Sequence, residues 1–90
     1  MRARKMRLLR IKYQISRLEL GEVCGLSPQR ISEIELNAEP EATEETLIKV
    51  QSAFAAVIER RRRALEALEQ DFTNHKKTLL EGVEETTYEL

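Results

Sequence analysis

Apolar positions between residues 3 and 36 recur three and four residues apart in short bursts, each stopped by a cap or turn residue. From Thr43 to Glu81 the same period runs on with no Gly or Pro to stop it. The first burst predicts a helix over about residues 3–13, with Met6, Leu9 and Tyr13 inward and Ile15 closing the corner. Ser16 followed by Glu19 has the spacing of a capping box, so a second helix starts near Arg17. Its inward stripe is Leu20, Val23 and Cys24. Gly21 leaves room for a second helix backbone to come close, and Gly25 suits the left-handed residue that ends a helix without Cβ strain. Ser27 caps a third helix, Pro28 takes the first position where a missing N–H costs nothing, and Leu26 can staple onto Ile31. With Ile31 and Ile34 inward, Pro28, Gln29, Ser32 and Glu33 face out.

The later run predicts one long helix. Thr43 is its cap, and Glu44 and Glu45 sit in the first turn, where the helix dipole favours carboxylates. The series Leu47, Val50, Phe54, Val57, Arg61, Leu65, Leu68, Phe72, His75, Leu79, Val83 advances by the helical period, with Thr73-Asn74 as its weak point. At 1.5 Å per residue such a helix reaches roughly 55 Å, too far for a small domain to cover its distal stripe. Leu65, Leu68, Phe72 and Leu79 are therefore expected to form a dimerisation face. The expected architecture is all-α: a helix-turn-helix domain over residues 1–58, then a long-helix dimerisation arm over 59–90 with an acidic tail.

The two short helices around Gly25 resemble the lambda-repressor-like, Xre-type helix-turn-helix regulators of bacteria and mobile elements. The matching residues are Gly21, Gly25, Ser27 and the run Ile31-Ser-Glu-Ile34-Glu35, and the likeness continues to Glu45-Thr46-Leu47. The resemblance implies that the third helix enters a groove of double-stranded DNA. Pro28, Gln29, Ser32 and Glu33 would then meet bases, with Gln able to hold adenine N6 and N7 and Glu able to accept from cytosine N4. Arg17 and Arg30 stand where the family's flanking residues meet phosphate. An arginine at the position of Arg10 pairs in the family with a glutamate at that of Glu35, and the expected fold brings only Arg10 there; with Gly21 and Gly25 these are the structural positions. Two departures stand out: Gln14 replaces a common glycine at the end of the first helix, and the loop Asn37-Ala-Glu-Pro-Glu-Ala42 is acidic where relatives often carry bases.

Charge supports an oriented molecule. The net charge is −1, but residues 1–36 hold eight bases against four acids and the remainder seven against twelve. A basic end attracts phosphate and an acidic end avoids it. The run Arg60-Arg-Arg-Arg63 points all round its helix with Glu59, Glu66 and Glu69 nearby, and reads as a solvated surface.

Other chemistry finds no support. No nucleophile stands in pattern with a base and no glycine loop could cradle phosphate, so no enzyme activity, cofactor or small-molecule ligand is expected. His75 lacks ligand-spaced neighbours, which argues against a metal, and Cys24 reads as a small buried hydrophobe. No apolar run spans a membrane, and bases interrupt the N-terminal apolar positions, so a cytoplasmic protein is expected. Two readings follow: a homodimeric DNA-binding repressor on an inverted repeat, or a protein-interaction adaptor, antitoxin-like, that keeps the helix-turn-helix as scaffold.

Overall fold

The caps and turn residues set the element order. A computed structural model describes residues 3–36 and 43–84 as α1 (Lys5–Lys12), α2 (Arg17–Cys24), α3 (Pro28–Glu35) and α4 (Glu44–His75). The chain divides into two units, residues 1–59 and 60–90.

In the first unit, side-chain caps open α2, α3 and α4. Ser16 Oγ accepts from Glu19 N at 2.9 Å, Ser27 Oγ from Arg30 N at 3.1 Å, and Thr43 Oγ1 from Thr46 N at 3.1 Å. Each such cap stabilises its helix by about 1 kcal/mol. Gly25 ends α2 at φ 70°, and Leu26 N donates back to the Gly21 carbonyl at 3.0 Å. The same turn explains Gly21: a Cβ there would collide with the Leu26 carbonyl oxygen. The backbone that comes close to Gly21 is thus the turn, not the helix expected from sequence.

Three expectations are corrected. α1 begins at Lys5 rather than Ala3, with Arg4 at the N-cap position, where its side chain does not cap the helix. Leu9 and Tyr13 are 45% and 53% exposed rather than inward, because the buried side of α1 is the one bearing Arg10, with Met6 partly covered beside it. The long helix stops at His75, not near Glu81: both the N–H and the hydroxyl of Thr78 turn back to the His75 carbonyl, and the side-chain bond competes with the helical ladder. Leu79 and Val83 consequently lie beyond the helix and do not extend its stripe.

The core is small. Ile15, Leu20, Ile31, Ala53 and Val57 form one buried cluster, with Met6, Val23, Cys24, Leu26 and Phe54 packed against it. In the second unit every described side chain is exposed except the half-buried His75. No described helix is long and apolar enough to cross a membrane.

Candidate nucleic-acid interface

α3 is an eight-residue helix held from below. Ile31 and Ile34 are buried, the Ser27 cap and Pro28 fix its start, and α2 packs along it. The opposite face belongs to Pro28 and Gln29, both exposed, and to Ser32 and Glu33, both half-buried. A short helix pinned this way presents its N-terminal side chains on a rigid mount, the geometry by which recognition helices meet base edges. Arg30 Nη1 lies 3.4 Å from Glu33 Oε2, both side chains being more than a third exposed. Such a surface pair contributes less than about 1 kcal/mol, so either member can exchange it for a nucleic-acid partner at little cost.

Beneath the flank of this face lies a charged hub. Glu35 is fully buried, and its carboxylate takes Arg10 in a bidentate grip, Nε to Oε2 at 2.7 Å and Nη2 to Oε1 at 3.1 Å. Arg10 Nη1 also donates to the Ile15 carbonyl at 3.0 Å, fastening the corner after α1. The Glu35 backbone carbonyl accepts from Arg4 N at 2.9 Å, so one residue joins the end of α3 to both ends of α1.

Sequence reasoning gave Glu35 a single partner, and that is corrected. Arg7 Nη1 and Arg17 Nε each stand 3.6 Å from Glu35 Oε1, so three guanidinium groups surround one carboxylate. Arg10 makes the hydrogen bonds to the carboxylate, and neither outer atom has a hydrogen-bond partner among the described residues. The cluster keeps a positive excess beside α3, and the side chains of Arg7 and Arg17 are 29% and 38% exposed. Arg7 was missed although a signal existed: it lies three residues before Arg10, on the same side of α1. Arg17, expected on the phosphate flank, has its Nε at this hub and its side chain 38% exposed.

Leu65, Leu68 and Phe72 lie on α4 in the other unit, and Leu79 follows the helix; all four are more than half exposed. The acidic residues Glu39 and Glu41, expected to discourage phosphate contacts, and the end of the acidic tail fall outside the described residues.

A family model for helix-turn-helix domains matches residues 6–56, more than half of the chain and all of the hub and the α2–α3 turn. No curated protein and no solved structure matches the chain.

Proposed function

We propose that this chain, which belongs to the lambda-repressor-like helix-turn-helix family, is a sequence-specific transcriptional repressor that acts as a homodimer on an inverted-repeat site. The observation that carries the proposal is the outward face of α3, with Gln29 exposed at the first turn of a helix immobilised by Ser27, Ile31 and Ile34. Gln29 reads adenine through its amide, Pro28 offers an apolar edge to a thymine methyl, Ser32 reaches either base of a pair, and Glu33 accepts from cytosine N4. Arg30 and Arg17 meet the phosphates on either side. The chain acts in the compartment that holds its DNA, the cytoplasm of a bacterial host.

The apolar side chains Leu65, Leu68 and Phe72 supply the dimer surface, since so long an exposed apolar face asks for a partner; Leu79, exposed after the end of the helix, is a further apolar residue available to it. Two heads related by a two-fold axis read half-sites about 34 Å apart or a multiple of that distance.

Selection of bound fragments from random DNA tests the reading. Enrichment of an inverted repeat is expected. Gln29→Ala should then cost about 1–3 kcal/mol and relax selectivity at one base pair per half-site. Arg30→Ala and Arg17→Ala should weaken all sequences alike and lower the salt slope by about one unit each per subunit. Failure to enrich any sequence would transfer the function to the adaptor reading.

A further inference from the structure

The first unit carries an apolar groove that its own side chains leave open. Leu8 and Leu9 of α1 form one wall and Phe54 and Ile58 of α4 the other, around a volume of about 730 Å³. Leu8 and Ile58 are 64% and 54% exposed. The charged lining residues are Lys5 and Lys12, with no acid among them; Lys12 Nζ also lies 5.5 Å over the Tyr13 ring.

Residues 64–75 of α4 have the opposite character. Leu65, Leu68 and Phe72 recur at helical spacing on one face, while the stretch holds Glu66, Glu69 and Asp71 and neither Lys nor Arg. One surface is an apolar trough with two cations, the other an apolar ridge with three anions.

We propose that the groove between α1 and α4 receives residues 64–75 from a second copy of the chain, in a reciprocal exchange that fills both grooves of the dimer. The inference rests on the homodimer proposed above and names the surface that the stripe meets. An amphipathic helix in an apolar groove is a recurring mode of recognition, read by anchors at three- and four-residue spacing. Charge favours the pairing: two stripes laid parallel and in register would set six acids near one another, and stripe on stripe in either sense leaves both grooves open, whereas stripe in groove matches acids with Lys5 and Lys12. Continuity selects the second copy. The groove residues Phe54 and Ile58 and the stripe residues Leu65 to Phe72 lie on one unbroken helix, and a helix cannot lie alongside itself. Reciprocal exchange about a two-fold axis closes the assembly at two chains.

Sedimentation equilibrium on the full-length chain tests this with Leu8→Glu, which breaks the groove, and Leu68→Glu, which breaks the stripe. Both positions are exposed, and far-UV circular dichroism of each variant checks that it folds. The wild type should be dimeric at tens of micromolar, and each variant alone should dimerise about tenfold more weakly or worse, since every contact in either homodimer carries a buried charge. Mixed one to one, the two variants should form heterodimers in excess of either homodimer, because the Leu8→Glu chain's intact stripe fits the Leu68→Glu chain's intact groove. The double variant Lys5→Glu, Lys12→Glu, which leaves the apolar floor alone, should weaken the dimer in the same direction. A Leu8→Glu chain that dimerises like the wild type, or a mixture without heterodimers, would overturn the exchange while leaving the homodimer standing. A monomeric wild type would overturn both.

Discussion

Residues 53–57 and 65–72 lie on the same helix and carry apolar side chains at the same period, yet Ala53 and Val57 are fully buried whereas Leu65, Leu68 and Phe72 are 63%, 64% and 53% exposed. The period decides which side chains share a face; it is silent on what covers the face. Different forces hold the two stretches helical. The first is fixed by packing on Ile15, Leu20 and Ile31. The second relies on composition, since residues 60–69 are all Arg, Ala, Leu or Glu, the residues that lose least on entering a helix. A helix kept by propensity is free to offer its apolar side to another chain; one kept by its core is not.

The sharpest way to break this contrast is at the hub. Glu35→Ala removes the one anion among three guanidinium groups, and losing a member of a buried pair costs about 3–5 kcal/mol. Arg10→Ala should cost less, because Arg7 and Arg17 remain near the carboxylate, and Arg7→Ala less than about 1 kcal/mol, its side chain being partly exposed. Urea midpoints should therefore fall in the order Arg7→Ala, Arg10→Ala, Glu35→Ala, from least to most damaging. Equal midpoints for Glu35→Ala and Arg7→Ala would mean that the hub is not what joins α3 to α1.

A matched pair on α4 sharpens the comparison. Val57→Ala deletes two buried methyl groups and should cost about 2 kcal/mol from lost transfer energy and the cavity left behind. Leu68→Ala removes more carbon from an exposed site and should change unfolding by less than about 0.5 kcal/mol when measured dilute enough for the chain to be monomeric. Thermal melts of both variants at the same low concentration decide it; a larger loss at Leu68 would mean that the stripe is covered within one chain.

How far the sequence could be read follows from the same distinction. The local signals were legible: Ser16 with Glu19, Gly25, and Ser27 before Pro28 each act within four residues, and each cap or turn stands where its chemistry puts it. Ile31 and Ile34 were legible as the inner side of α3, leaving Gln29 outward, because a short capped helix has only one way to bury two isoleucines. Tertiary convergence was not. Arg7 and Arg17 sit on different helices and meet only where Glu35 is buried; Arg7's place three residues before Arg10 hints at its side of α1, but nothing within α2 announces Arg17's part. Leu9 and Tyr13 were misplaced for a related reason: spacing put them on one face, while the face that α1 buries is set by the pull of Glu35 on Arg10. The end of α4 was half legible: Thr73-Asn74 stood out as the weak point just before His75, but Thr78 competes for the His75 carbonyl through a hydroxyl, a choice that no Gly or Pro marks.

Gln14 offers a small expected effect and the clearest separation of turn from side chain. It holds φ 55°, in the left-handed region that L side chains occupy at a cost of about 1–2 kcal/mol. The turn around it is nonetheless a complete Schellman end, with Gln14 N donating to the Ile11 carbonyl at 3.1 Å and Ile15 N to that of Arg10 at 2.9 Å. A residue other than glycine therefore leaves the turn unchanged and adds strain to it, tolerated because Ile15 is anchored in the core directly after. Gln14→Gly relieves the strain but gives the unfolded chain more freedom, a counterweight of about 0.5–1 kcal/mol. The difference should appear as a gain of roughly 0.5–1 kcal/mol in urea unfolding, with helix content and DNA affinity unchanged. Destabilisation instead would mean that the Gln14 side chain contributes more through its own contacts than the backbone loses to strain.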